Sequence, residues 1–257
     1  MHKVAIPLGA LTIYWYGIFL ALGVGIGLWT ASRRALRDNI PPEKILDIGL
    51  WLVIGAIFGS RLFYVIYYWN SYFAQQSWWE IFNVRQGLVF QGGLLGASLA
   101  GFFYIRIHRF NFWLYADILA PSIALGHVFG RMGCLMNGCC YGSACSWPWA
   151  IHFPDDHETA GVGVHPTQIY ESVLNFFLYG FLIWLLPRRR FQGQIFSTYL
   201  IGYAILRFCV EFFRGDYLNT LIWYVITPAQ WLSLGIICVG FGFHRWRSQS
   251  VKHERAD

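Results

Sequence analysis

Seven apolar runs, each near the ~20 residues that cross a bilayer as a helix, recur along the chain at about 12–32, 45–69, 88–107, 111–134, 167–186, 194–213 and 222–243. In hydrocarbon a chain must satisfy its backbone N–H and C=O groups within itself, so runs of this length fold as helices. The rest of the 257 residues leaves no room for a soluble domain. Of the whole chain 56% is hydrophobic and only 12% is charged, with mean hydropathy +0.44. Soluble domains carry about a quarter charged residues. The expected fold is therefore all-α: one integral membrane domain over residues 1–257, with about seven transmembrane helices and short loops.

The net charge of +6 does not point to nucleic acid, because most of the 19 Lys and Arg lie in four clusters. These are Arg33, Arg34, Arg37 and Lys44; Arg106 and Arg109; Arg188, Arg189 and Arg190; and Arg245, Arg247, Lys252 and Arg255. They follow runs one, three, five and seven. That alternation is the positive-inside pattern, and it places the N-terminus outside and the C-terminus in the cytoplasm. The first run is too long for a signal peptide and no small-residue cleavage site follows it. "ASRRALR" after it reads as a stop-transfer anchor. Trp78, Trp79 and "YYWNSYF" fit an aromatic belt at headgroup level.

Arg131, Arg207 and Arg214 break the apolar pattern, while Arg61 and Arg85 also lie in or beside runs. An arginine at bilayer depth costs at least a few kcal/mol and rarely faces lipid. In "RFCVEFFR", Arg207 and Arg214 flank Glu211 at spacings of four and three, which one helical face would stack together. Two cations on one carboxylate leave a surplus positive charge that invites an anion, which Asp216 could reduce. In "GRMGCLMNGCCYG", glycines let backbone N–H groups approach a phosphate, and Arg131 adds a bidentate donor. The bland alternative is a kinked helix end whose arginine snorkels to the interface.

Cys134, Cys139, Cys140 and Cys145 form a C-x4-C-C-x4-C array. A disulfide, reactive thiols and a metal site all remain open. The spacing matches no common zinc pattern, and an oxidising compartment favours a disulfide over a metal. "HPTQIYES" opens run five, with His165 and Glu171 as acid–base candidates. Tyr16 and Arg61 fit interface residues as well as site residues. "QGGLLGASLAG" opens run three, and its small residues permit close approach of a helix or a ligand.

Taken in order, "WYG" at Trp15–Gly17, "GSRLFY" at Gly59–Tyr64, "GGLLGA" at Gly92–Ala97, "GRMGCLMNG" at Gly130–Gly138, "HPTQIYE" at His165–Glu171 and "RFCVEFFR" at Arg207–Arg214 resemble the prolipoprotein diacylglyceryl transferase family. The resemblance spans nearly the whole chain. It implies transfer of a diacylglyceryl group from phosphatidylglycerol to the lipobox cysteine thiol of prolipoprotein signal peptides, releasing glycerol phosphate and forming a thioether. It also implies a multi-pass protein of the bacterial cytoplasmic (inner) membrane, in contact with membrane lipids and needing no metal or organic cofactor. Arg131 and Arg207 match arginines held essential in the family. Tyr16, Asn137, Glu211 and Arg214 match further family positions. The family often has His before the G-G-L segment where this chain has Gln91, and N-G-E-x-x-G where this chain has Cys139 after Asn137 and Gly138. A neutral glutamine cannot act as a base.

The expected chemistry is that Arg131 and Arg207 grip the phosphate and stabilise its departure, since fixed cations act most where charge develops. Glu211 and Arg214 position them, His165 accepts the thiol proton, and Gln91 orients a substrate. A membrane thiol oxidoreductase using the outer cysteines, or an organic-anion transporter, are the competing readings.

Overall fold

The computed structural model describes residues 3–8, 11–84, 87–215 and 226–253. Asp216, Arg85, Arg255 and the first residues of the seventh expected run lie outside the described residues. A short hairpin, β1 (Val4–Leu8) and β2 (Leu11–Tyr14), precedes α1 (Trp15–Ala35). Then come α2 (Pro42–Tyr67), α3 (Phe90–Ile107), α4 (Phe112–Asn137), a two-residue ladder of β3 (Ile151–His152) and β4 (Gly163–Val164), α5 (Thr167–Leu185), α6 (Gln194–Glu211) and α7 (Pro228–His253). Each of the seven expected runs thus carries a helix. Trp15–Asp38, Pro42–Tyr67, Phe112–Asn137 and Thr167–Arg188 are long and apolar enough to cross a membrane. Large side chains such as Phe58, Ile66 and Phe177 stand exposed on these helices, as lipid-facing residues do.

The helix starts are written in the sequence. Pro42 occupies the first turn of α2, where its missing N–H is no loss. Thr227 and Gln230 form a reciprocal capping box at the start of α7. The Gln230 N–H donates to Thr227 Oγ1 at 3.2 Å, and the Thr227 N–H donates to Gln230 Oε1 at 3.0 Å. The seventh run was expected to end at 243, but α7 continues through Arg245 and Arg247.

The chain divides into two compact units, one of Ser32–Tyr115 and one of Met1–Ala31 with Ala116–Asp257. In the first, α2 packs on α3 through facing glycines. A Cβ on Gly59 would stand 2.8 Å from the Gly96 Cα, and one on Gly55 would stand 2.6 Å from the Ala100 Cβ. The small residues of run three therefore serve helix packing, in the paired small-xxx-small manner. Gly96→Leu should lower stability by at least ~1–3 kcal/mol, the usual cost of overpacking, measured by thermal unfolding in detergent. A variant as stable as the parent would show the crossing to be loose.

Arg61, nearly fully buried, is structural in this unit. It donates to three loop carbonyls: Nε to Ile81 at 2.7 Å, Nη1 to Gly87 at 3.2 Å and Nη2 to Glu80 at 2.5 Å. Its guanidinium also lies 5.1 Å from the Tyr64 ring centroid. An arginine spent on carbonyls satisfies backbone that a 3₁₀ loop leaves open.

In the other unit α5 buries one face at helical spacing: Thr167, Gln168, Glu171, Ser172 and Asn175, then Leu178 and Leu182. The face is polar over its first two turns and apolar after them. Leu178 and Leu182 join Ala120, Ala124, Ile195 and Tyr199 in the core. Asp117 of α4 is fully buried and accepts the Gly193 and Phe196 N–H groups at 2.8 and 2.9 Å. It caps α6 from a neighbouring helix, beside Gly193 at φ 95°. Asp117 thus ties the start of α4 to the start of α6, and these two helices run in the same direction with α5 antiparallel to them.

Candidate active site

The ends of α4 and α6 and the start of α5 meet on a buried carboxylate. Glu171 Oε2 lies 2.5 Å from Arg131 Nε, and its Oε1 accepts from Arg207 Nη1 at 3.0 Å. Arg207 Nη2 then reaches Glu211 Oε2 at 2.7 Å, one helical turn on. Thr227 Oγ1 donates to Glu211 Oε1 at 2.9 Å, so the α7 capping residue closes the series. The carboxylates are almost sealed, with side chains 3% and 1% exposed, whereas Arg131 and Arg207 keep 16% and 14%. The acids are spent on fixing the cations, and the cations hold the remaining access. Tyr203, one turn before Arg207, sets its hydroxyl against Arg131, and its ring stacks on His127 at 4.6 Å.

This geometry corrects the face expected from "RFCVEFFR". The α6 helix stops at Glu211, and Arg214 lies beyond it, paired by its backbone with Gly142. Glu211 therefore binds Arg207, and the carboxylate shared by two arginines is Glu171. The same finding removes Glu171 from the acid–base candidates, because both its oxygens are engaged. Sequence spacing along one helix could not show a pairing between α4, α5 and α6. The helical recurrence of Thr167, Gln168, Glu171, Ser172 and Asn175 was the available signal, since polar residues at that spacing in an apolar run mark a buried polar face.

The "NGCCYG" loop is held down on the start of α5. Three successive carbonyls each accept from a side chain: Gly138 from His157 Nε2 at 2.6 Å, Cys139 from Gln168 Nε2 at 2.7 Å and Cys140 from Thr167 Oγ1 at 2.6 Å. Gly138 has φ 74° and Cys140 φ 64°, both left-handed, which turns the loop back on the helix end. Gly142 is hemmed in: a Cβ there would stand 2.6 Å from the Phe213 carbonyl oxygen. The turn gathers the Cys134, Cys139 and Cys140 sulfurs within 4.8 Å of one another. Cys145 is apart, its sulfur accepting the Trp147 N–H at 3.4 Å. The neighbouring Cys134 and Cys139 thiols, with Arg214 and Arg131, hold the Cys140 thiol below the usual range.

The other expected residues fall as follows. Tyr16, at the start of α1, packs on α4 where Gly133 leaves room: a Cβ there would meet its ring at 3.1 Å. Asn137 ends α4, donates to Cys139 Sγ at 3.6 Å and lines a pocket of about 240 Å³ with Lys3, Gly138 and His157. His165 shares a 3.2 Å hydrogen bond between Nδ1 and the Tyr170 hydroxyl, which also accepts from Trp149 Nε1 at 2.8 Å. Gln91 is the exposed second residue of α3, in the Ser32–Tyr115 unit.

The model of the family described as prolipoprotein diacylglyceryl transferase matches residues 3–246. The chain belongs to that family. Among its relatives is the phosphatidylglycerol–prolipoprotein diacylglyceryl transferase of Bacillus cytotoxicus, 39% identical over 252 residues, which covers 95% of this chain and 91% of the relative. The protein of the same name from Bacillus cereus is 38% identical over 250 residues, with the same coverage. As a prolipoprotein diacylglyceryl transferase family member with long apolar helices, the chain is a membrane protein. The arginine–carboxylate series from Arg131 to Glu211 lies within the matched residues.

Proposed function

We propose that this protein transfers the diacylglyceryl group of phosphatidylglycerol to the lipobox cysteine of prolipoprotein signal peptides. The observation that carries the reading is the meeting of Arg131 and Arg207, from different helices, on the sealed carboxylate of Glu171. The names of the relatives agree with it, and they lend nothing to the thiol-oxidoreductase or transporter readings.

In the proposed reaction the lipobox thiolate attacks the glycerol carbon that bears the phosphate ester. The C–S bond forms, the C–O bond breaks, and its electron pair goes to the departing glycerol phosphate. That leaving group gains negative charge in the transition state, where pre-fixed cations act most strongly. Arg131 and Arg207 present the cations. Glu171 and Glu211 fix them, Tyr203 flanks Arg131, and Tyr16, Asn137 and Arg214 border the substrate. Gln91 orients substrate. His165, hydrogen-bonded through Nδ1 to the Tyr170 hydroxyl, accepts the thiol proton at Nε2. All of 1–257 acts as one domain with seven spans, N-terminus outside, in a bacterial inner membrane surrounded by its lipids. In that orientation the ends of α4 and α6 and the start of α5 face outward, opposite the Arg188–Arg190 cluster.

The test uses protein purified in detergent, phosphatidylglycerol and a lipobox peptide. Peptide-dependent glycerol phosphate release with a diacylglyceryl gain in peptide mass supports the reading. No release from folded protein overturns it. His165→Ala should slow the reaction by ~10²-fold or more, the usual worth of a positioned base, with the loss shrinking as pH approaches the thiol pKa. A near-full rate in that variant would remove His165 as the base.

A further inference from the structure

We infer that the end of α3 binds one anionic phospholipid, with its phosphate between Arg106 and Arg109 and its acyl chains along the exposed face of the helix. A cavity of about 400 Å³ opens there, lined by Ile105, Arg106, Arg109 and Phe110. Neither guanidinium has a hydrogen-bond or ion-pair partner among the described residues, and no described carboxylate lines the cavity. Asp47 of α2 is instead engaged by the Tyr104 hydroxyl at 3.3 Å. Lys44 adds a third cation, 5.9 Å from the Phe110 ring centroid. All of these residues belong to the Ser32–Tyr115 unit, and the proposed transfer uses none of them.

The local fold builds the cavity. The α3 helix ends in a Schellman turn: the Phe110 N–H donates to the Ile105 carbonyl at 2.9 Å and the Arg109 N–H to the Arg106 carbonyl at 3.2 Å. Such a turn needs one left-handed residue, and Arg109 supplies it at φ 55°. Glycine is the usual occupant, because a Cβ is penalised in that conformation. An arginine held there points to a use for its side chain. Phe110 is a fixed wall, its ring stacked on Tyr115 at 4.9 Å and on His108 at 5.5 Å.

The other half of the site is apolar. Leu95, Leu99, Phe102, Phe103 and Ile107 are exposed along α3, at spacings of three and four that make one stripe. Arg106 stands at the end of that stripe, four residues after Phe102 and three after Phe103. From Leu95 to Ile107 the helix rises ~18 Å, close to the depth of one leaflet, half of a ~30 Å hydrocarbon core. A cationic pair at the end of a leaflet-deep apolar stripe matches an amphiphile with an anionic head. Guanidinium forks suit phosphate oxygens. Free phosphate would use the arginines and leave the stripe idle, and a zwitterionic head would bring its own ammonium against three cations. Positive-inside placement accounts for the sign of the cluster but not for the cavity or for the left-handed Arg109. In the orientation proposed above, the lipid belongs to the inner leaflet, whose anionic headgroups attract basic residues.

The test reconstitutes the full-length protein in phosphatidylcholine vesicles with a trace of phosphatidic acid that carries a photoactivatable group on one acyl chain. Labelling, mapped by mass spectrometry, should fall between Leu95 and Phe110. The same group on phosphatidylcholine should label that stretch about 10-fold less. Arg106→Gln with Arg109→Gln should cut the phosphatidic acid label there by about 10-fold, in keeping with the loss of two cations from an anionic headgroup. Lysine at both positions should restore part of it, because the charge returns without the fork. Arg188→Gln with Arg190→Gln removes equal charge from another basic cluster and should leave the label unchanged, as should excess glycerol phosphate. Equal labelling by the two lipids in the parent, a comparison that needs no variant, reduces the stripe to ordinary lipid contact and overturns the site. An equal loss in the Arg188 and Arg190 variant reduces it to net charge and overturns it as well. Competition by glycerol phosphate assigns the cavity to a soluble phosphate and overturns the lipid. Transfer activity of the same vesicles reports separately on the proposed function.

Discussion

Arg131→Ala and Arg207→Ala should each cut glycerol phosphate release by about 10³-fold or more, the largest losses expected of any single substitutions in the protein. One positioned donor that stabilises transition-state charge is worth about 10²–10³ in rate. Here Arg131 is a full cation on one sealed carboxylate and Arg207 on two, in surroundings that screen poorly. The two side chains retain 16% and 14% exposure, while the acids they bind retain 3% and 1%, so the guanidiniums are the groups an incoming phosphate can reach. Arg131→Lys and Arg207→Lys keep the charge but lose the planar fork, and should recover part of the rate. Assays in detergent with phosphatidylglycerol and lipobox peptide, alongside thermal unfolding of each variant, make the comparison. An alanine variant that is folded and keeps more than a tenth of the parent rate would remove that arginine from the reacting centre.

Much of this architecture was legible in the sequence because bilayer depth imposes a length on apolar runs, and each expected run carries a helix. What misled was the reach of a helix pattern past its end. "RFCVEFFR" reads as one continuous face, yet α6 stops at Glu211. The Gly142–Arg214 bridge and the Ser143 N–H, which donates to the Phe213 carbonyl at 2.8 Å, take the chain into the loop packed on His165. No local propensity announced that stop, because the partners are far away in sequence.

The candidate residues were legible in kind and not in pairing. Arg131, Arg207 and Glu211 stood out as charges in apolar runs, and they do fall in one series. The link between them, Glu171, was visible only as part of "HPTQIYE", because contact between helices depends on their mutual rotation. Tyr203 and Thr227 carried no signal of their own, being ordinary residues for a helix and a helix start. The cysteine array shows the same limit. Its spacing announced no convergence, yet left-handed turns at Gly138 and Cys140 bring three of its sulfurs together.

Glu171→Gln should be the most destabilising exchange at the site, by ~3–5 kcal/mol. Removing one partner of a buried ion pair leaves uncompensated charge at about that cost. Glutamine is nearly isosteric, so packing is kept. Its carbonyl oxygen can accept from one arginine, but its amide group then points N–H donors at the other. Two guanidiniums face each other with Glu211 alone to offset them. That predicament has a consequence which a purely structural salt bridge would not show. An anion that binds between Arg131 and Arg207 replaces the lost carboxylate charge, so ligand and fold become linked more strongly in the variant than in the parent. Glycerol phosphate should therefore raise the unfolding temperature of Glu171→Gln by more than it raises that of the parent, and an uncharged glycerol control should raise neither. Equal shifts in both proteins would place the phosphate elsewhere and leave the Arg131–Glu171–Arg207 series as a structural tie between helices.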